Sequence, residues 1–420
     1  MLSNATVPIL GLVDTGVVGQ IGEAAPIGAV GVGAIVISFL YWTFGFLRMG
    51  TSGLVAQARG AGDAAETGAL LMRGLMIAAA AGSVFLLLQA PLFGLGLWTM
   101  SASAEVSDLA WTYLTIRVWA APFAIGLYAL TGWLIAMERT RGVLILQLWI
   151  NGLNILLDLI FVLGLGWGVA GVAAATVIAE VSGGCLGLWM CREAFGGAQW
   201  RNWARILDPA RVKRMMQVNA DILLRSLLLE VSFAFFVAQS ARGGDVALAA
   251  NQILFQFVHV IAHTLDGFAF AAETLVGQAF GAGRSKGVRR AAILSSGWGL
   301  VCVTALALFF STGGPALVDW MTTEPDVRLR AREFLVWCAL APAISLPAFM
   351  FDGVFIGATR TRDMRNGMLI SAGVYLVAWA ALTPLLGQHG LWAALMVLFG
   401  ARGVTLARRY PALERAAEGR

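Results

Sequence analysis

Apolar stretches of about twenty residues or more recur along the whole of this 420-residue chain, and about twenty is what a helix rising roughly 1.5 Å per residue needs to cross roughly 30 Å of hydrocarbon. Twelve spans are expected, at 2–20, 27–50, 68–98, 108–136, 143–165, 169–191, 215–240, 246–280, 290–320, 333–357, 366–387 and 390–408. Composition agrees. The chain is 59% hydrophobic and 13% charged, against roughly half apolar and a quarter charged in soluble domains. The expected fold class is therefore all-α and integral to a membrane.

The decapeptide LVAQARGAGD at 54–63 returns as LVGQAFGAGR at 275–284, with seven positions identical and a displacement of 221. The same displacement carries Gly132 onto Gly353, and Arg139, Thr140 and Arg141 onto Arg360, Thr361 and Arg362. One offset at such distant sites marks an internal duplication. Six spans then fall in each repeat, and an even number means that both repeats enter the membrane in the same direction, related by an axis along its normal. The organisation expected is two six-helix pseudo-symmetric lobes, 1–191 and 215–408, joined by a linker at 192–214 and followed by a tail at 409–420. The linker is basic and contains Asp208-Pro209, a turn signal. Trp200 and Trp203 within it are expected as headgroup-level anchors on a short interfacial helix.

Basic residues concentrate in alternate connections: Arg139 and Arg141; Arg192 to Arg214; Arg284 to Arg290; Arg360 to Arg365; and the tail. The connections 21–26, 99–107 and 164–168 have no lysine or arginine. The bias toward inside places both termini in the cytoplasm, with the chain in the plasma (inner) membrane. Arg328, Arg330 and Arg332 dissent from the outer side, accompanied by Asp319, Glu324 and Asp326. The net charge of +5 sits at membrane edges facing lipid, so no nucleic-acid partner is implied. Four cysteines without a CxxC spacing suggest neither a disulfide scaffold nor a zinc site. His259 and His263 lack the glutamate and third ligand of a metal centre. With no P-loop, dinucleotide fingerprint or nucleophile elbow, the chain does not read as an enzyme, and no cofactor is expected.

Ionisable side chains at membrane depth cost about 2.5–3.5 kcal/mol on insertion scales and are rare unless they face the protein interior. Asn151, Asn154 and Asp158 share one face of the fifth helix. Asp158 and Thr176 flank the turn GLGWG at 164–168, each about 12–15 Å deep, and Asp14 falls about 9–12 Å deep on the first helix. Asp14, Asn154, Asp158 and Thr176 are thus expected to form one cluster. Two carboxylates close together in low dielectric cannot both stay ionised, so such a pair carries a proton or holds a cation. Hard oxygen ligands of these types also suit sodium. Under the repeat, Asp14, Asn154 and Asp158 correspond to Phe235, Tyr375 and Trp379, and Thr176, under a slightly shortened offset, to Leu395. A polar cluster kept in one repeat only points to function rather than packing.

The second repeat carries Asp221 and Arg225, expected as an i, i+4 pair. Asp266, Glu273 and Asp352, with Asn251, are candidates to line a substrate cleft and attract cationic cargo, and His263 is expected to pair with Asp266.

LVDTGVVGQIG at 12–22, FGFLRMGTSGLVAQARGAGD at 44–63, NILLDLIFVLGLGWGVAGVAAATVIAE at 154–180 and LDGFAFAAETLVGQAFGAG at 265–283 resemble the multidrug and toxic compound extrusion (MATE) transporters, and within them the DinF branch. The resemblance runs nearly end to end. It implies two lobes around a central cleft and a monomer that works by alternating access. It also implies export of organic cations or other amphipathic compounds in exchange for protons or sodium. By the same resemblance Asp14, Asn154, Asp158 and Thr176 match the family's amino-terminal-lobe cation site. Members of the family carry further residues before the stretch that here begins MLSNATVPIL, so the expectation is either a true start upstream of Met1 or a first helix that is short at its start. A flippase for a lipid-linked precursor is the alternative, disfavoured because the interior charges here are mostly acidic.

Overall fold

The computed structural model describes residues 24–100, 103–196 and 199–418. The described residues form helices and turns without a strand, as hydrocarbon demands, because a helix satisfies its backbone donors and acceptors within one segment. The expected first span, 2–20, lies outside the described residues. Ten helical segments are long and apolar enough to cross a membrane. An eleventh helix, of 33 residues, is long enough but carries Asp221, Arg225 and Glu230.

The chain divides into two compact units. The amino-terminal unit holds α1 (Ala24–Trp42), most of α2 (Phe46–Gly60), α3 (Ala64–Leu87), α4 (Gln89–Met100), α5 (Ala104–Arg117), α6 (Ala121–Ala136), α7 (Thr140–Asp158), α8 (Gly168–Met190) and the one-turn α9 (Trp203–Ile206). Here α3 packs on α6, and α7 on α8. The carboxy-terminal unit takes in Ala56–Gly62 and the chain from Met216 onward. It contains α10 (Pro209–Ala241) beyond its first turns, α11 (Asp245–Gly281), α12 (Ser285–Met321), α13 (Pro325–Gly357), α14 (Thr361–Leu386) and α15 (Gln388–Glu418). Its core is strongly aromatic, with Phe236, Phe255, Phe310, Phe334, Trp392 and Phe399 buried together. Large side chains such as Leu87, Trp98, Trp298, Trp320 and Leu385 face outward, the pattern of a surface that meets lipid rather than water.

Two boundaries differ from expectation. Asp208-Pro209 is not a turn inside a linker but the start of α10. Asp208 Oδ1 accepts the Arg211 amide at 2.9 Å, and proline occupies the first helical position, where its missing N–H is no loss. The expected tail is likewise helical, since α15 runs on through Pro411 to Glu418. The linker itself is fastened to the amino-terminal unit. Buried Arg73 donates to the Ile206 and Arg205 carbonyls, both at 2.8 Å, and to Glu66 at 2.7 Å. Arg205 meets Glu66 at 3.0 Å and also pairs with Asp63, and Arg211 pairs with Glu66.

The duplication is visible as matched backbone geometry. Gly62 and Gly283, at equivalent positions, both have left-handed φ, +73° and +66°. Glu138 and Thr359, also equivalent, adopt φ of 60° and 51°, a conformation disfavoured for residues with a β-carbon. Each precedes an arginine whose amide bonds five residues back, Arg139 to Leu134 at 2.8 Å and Arg360 to Phe355 at 2.9 Å. In the amino-terminal unit a β-carbon on Gly132 would lie 3.2 Å from the Arg48 carbonyl carbon. In the carboxy-terminal unit one on Gly353 would lie 3.0 Å from that of Ala269, the repeat counterpart of Arg48.

Within the carboxy-terminal unit the two copies of the decapeptide meet. A β-carbon on Gly60 would stand 2.7 Å from the carbonyl carbon of Gln278, and one on Gly281 would stand 2.8 Å from that of Gln57. Gly60→Ala forces the backbones apart and is expected to cost about 1–3 kcal/mol, as overpacking does. Gly31→Ala meets no atom within 4 Å and gains about 1 kcal/mol of helix propensity. Thermal unfolding in detergent is expected to show a lower midpoint for the first variant and an unchanged or higher one for the second.

Candidate functional site

Three of the four residues expected in the cation cluster lie in the amino-terminal unit, and Asp14 lies outside the described residues. Asn154 on α7 and Thr176 on α8 are joined directly, Asn154 Nδ2 donating to Thr176 Oγ1 at 3.1 Å. The Thr176 hydroxyl in turn donates to the Val172 carbonyl at 2.9 Å, which fixes the direction of its remaining lone pair. Asn154 Oδ1 has no hydrogen-bond partner among the described residues. Asp158 follows one turn along α7, and its side chain is fully buried, as is that of Asn154. The expected sharing of one helix face by Asn151, Asn154 and Asp158 holds, for all three are buried.

The helix changes character at Asp158. Residues Leu159–Gly164 form a π-helical turn, with the Leu165 amide reaching the Ile160 carbonyl at 2.9 Å. Such widened turns cluster at functional sites because they displace backbone groups from the regular ladder. The sequence carried no sign of it beyond the glycines at 164, 166 and 168.

Sequence reading missed a second polar element. Arg117 at the end of α5 and Glu180 on α8 form a two-pronged ion pair at 2.8 and 3.0 Å, largely buried. Tyr41 donates to the Arg117 carbonyl at 3.1 Å. Glu180 is one turn beyond Thr176 on the same helix face. Asp158, Asn154, Thr176, Glu180 and Arg117 therefore form a polar column through the amino-terminal unit. The available signal was that Arg117 and Glu180 are the single charges in two otherwise apolar stretches.

In the carboxy-terminal unit Phe235, Tyr375 and Trp379, the repeat counterparts of Asp14, Asn154 and Asp158, pack against one another. Phe235 meets Tyr375 edge-on at 5.9 Å and Trp379 at 5.0 Å. Leu395, counterpart of Thr176, is fully buried.

The candidates for a cation-attracting cleft separate on inspection. Asp352 is enclosed by two guanidiniums, accepting from Arg402 at 2.6 Å and pairing with Arg225. It is thus not an open anionic group, and the expected pairing of Arg225 with Asp221 gives way to this one. Asp221 instead accepts from Arg365 at 2.7 Å and Thr361 at 3.0 Å. Asn251 is buried and locks three helices together: it donates to Ser240 and Gln388, each at 3.0 Å, and accepts from Trp392 at 2.8 Å. Glu273 is buried on α11, while Asp266 is half-buried there and lies in the field of Arg402. His263 turns its Nδ1 to the His259 carbonyl at 2.8 Å.

A long-helix fold in two units, with an ionisable column inside one of them, defines a polytopic membrane protein. The MatE family profile matches residues 1–160 and 222–381, one match in each repeat. The chain is 36% identical over 415 residues to DNA damage-inducible protein F of Escherichia coli strain K12, covering 97% of this chain and 89% of that protein. It is 28% identical over 409 residues to the probable multidrug resistance protein NorM of Pseudomonas aeruginosa, covering 93% and 81%. A solved structure described as MATE in the bent conformation superposes with a TM-score of 0.88 at 19% identity, covering 99% of this chain and 94% of that one. The chain belongs to the MATE family of multidrug and toxic compound efflux transporters, and its fold is the twelve-helix, two-lobe fold of that family.

Removing one member of a buried ion pair leaves the other uncompensated, at about 3–5 kcal/mol. Arg117→Met is therefore expected to destabilise the protein by about that amount, and the double variant Arg117→Met/Glu180→Gln to recover much of the loss. A double-mutant cycle that includes Glu180→Gln, from unfolding in detergent, measures this, and a loss in the double variant equal to the sum of the two single losses would show that the pair is not coupled.

Proposed function

We propose that the chain is an antiporter that expels organic cations or other amphipathic compounds in exchange for protons or sodium, with Asp14, Asn154, Asp158 and Thr176 as the coupling site. The observation that carries this reading is the bond between Asn154 and Thr176 with the fully buried carboxylate of Asp158 one turn away. Asn154 Oδ1, which has no hydrogen-bond partner among the described residues, the Thr176 hydroxyl and a carboxylate form a hard-oxygen set suited to a proton or a small cation. Inclusion of Asp14 is supported by the repeat, because Phe235 packs directly on both Tyr375 and Trp379.

Entry of the ion changes the charge buried beside the π turn. It biases the alternation of the two lobes by its differential affinity for the two states, which is the only means by which a ligand moves such an equilibrium. Asp266 and Glu273 are the acidic groups we assign to cargo attraction; Asp352 is spent on Arg225 and Arg402. We assign the chain to the plasma (inner) membrane with both termini cytoplasmic, an orientation that the basic loops support. Of the dissenting arginines, Arg332 pairs with Asp319, Arg330 with Glu333 at 2.8 Å, and Arg328 donates to the Thr322 carbonyl at 2.7 Å. Their charge is met locally, which supports leaving them out of the orientation count.

In proteoliposomes, uptake of a fluorescent organic cation is expected under an imposed proton or sodium gradient, and to fall to the level of empty vesicles in Asp158→Asn and Asp14→Asn. Gradient-driven uptake that persists in both variants would overturn the assignment of the coupling site.

A further inference from the structure

Outside the polar column, the amino-terminal unit has a recess of about 500 Å³ lined by Leu134, Glu138, Arg139, Thr140, Arg141, Gly142, Trp189, Met190 and Arg192. It sits where the turn into α7 meets the end of α8. Glu138 takes the left-handed conformation, and this turns the three residues that follow toward the recess. Arg139 is held in place: it donates to the Met190 carbonyl at 3.1 Å, lies over the Trp133 ring at 5.7 Å and pairs with Glu193. The guanidinium of Arg139 keeps the Glu193 carboxyl below the usual carboxylate range. Arg192 stacks on Trp189 at 4.5 Å, and the Trp189 ring is 60% exposed. Arg141 and Thr140 are exposed, and no carboxylate among the described residues bonds either of them.

We propose that this recess binds the phosphate of an acidic phospholipid headgroup. Two guanidiniums, Arg141 and Arg192, and the Thr140 hydroxyl surround a space at the start of α7, whose cap residue Arg139 supplies no side-chain acceptor to the first amides. Unsatisfied amides at a helix start favour an anion. An exposed tryptophan carrying a stacked arginine is the arrangement expected at headgroup level, where one end of the pair is apolar and the other charged.

The duplication supplies a comparison within one molecule. In the carboxy-terminal unit the matching helix start likewise has no side-chain cap, but its first threonine is already engaged. Thr361 donates to Asp221 at 3.0 Å, Arg360 pairs with Asp363 at 2.9 Å, and Arg360 donates to the Ala412 carbonyl at 3.3 Å. There α15 continues as helix past Ala412, whereas α8 ends at Met190. The cap arginine is paired in both repeats, but only the carboxy-terminal repeat ties the first helical threonine to a carboxylate and covers the turn with its last helix. The other leaves the recess open beside an exposed tryptophan.

The test uses the full chain, delipidated and titrated with phosphatidylglycerol or phosphatidylcholine, with retained lipid counted by native mass spectrometry. Preference for phosphatidylglycerol is expected, and Arg141→Gln/Arg192→Gln is expected to reduce it about 30-fold, near fivefold for each guanidinium at a membrane surface. Arg362→Gln, at the repeat counterpart of Arg141, is expected to leave it unchanged. Both altered arginines are exposed, and an unshifted melting temperature confirms that the fold is intact. Retention of the preference in the double variant, or its equal loss in Arg362→Gln, overturns the assignment. Displacement of phosphatidylglycerol by millimolar inorganic phosphate would show that the recess reads a free anion, and would overturn the lipid as its source.

Discussion

Gly60 and Gly281 press against the carbonyl groups of Gln278 and Gln57, and no β-carbon fits at either place. The two residues are repeat counterparts, and so are their partners, so the contact is the duplication meeting itself. Around it, Gln57 donates to the Gly357 carbonyl at 2.9 Å and to Thr359 at 3.0 Å. Lipid offers no hydrophobic drive for helix association, so close backbone approach through small residues and interhelical hydrogen bonds must hold such helices together. The decapeptide that repeats most closely in the sequence is the one that makes this approach.

Around that shared frame the repeats have diverged in where they keep polarity. In the amino-terminal unit Asn154, Asp158 and Thr176 form a buried polar cluster. At the matching places the carboxy-terminal unit has Tyr375, Trp379 and Leu395, which pack with Phe235 into its core. The carboxy-terminal unit concentrates its charge instead on Asp352, between Arg225 and Arg402. A buried carboxylate between two guanidiniums is a good brace, since moving either arginine leaves charge uncompensated. The divergence continues at the decapeptide's last residue: Asp63 caps α3 and holds Arg205 of the linker, where its counterpart is Arg284.

Much of this was legible from residues alone, for local reasons. Spans announced themselves by length and transfer free energy, and the repeat by its offset, which recurs as paired left-handed residues at 62 and 283 and at 138 and 359. The shared face of Asn151, Asn154 and Asp158 needed only the helical period. Asp208-Pro209 misled because the same dipeptide serves a turn and a helix start, and only the Arg211 amide bonded to Asp208 distinguishes them.

What the sequence by itself determined is the class of object: a duplicated bundle of membrane-length helices with a polar cluster in one repeat, since hydrophobic length and helical period are properties of contiguous residues. Only tertiary structure decided which charges meet. Arg225 lies four residues from Asp221 yet bonds Asp352, Arg117 finds Glu180 across the bundle, and Asp158 sits at the mouth of a π turn. These outcomes depend on the rotation and register of each helix against its neighbours, set by close contacts such as Gly132 on Arg48 and Gly353 on Ala269, which no single segment encodes.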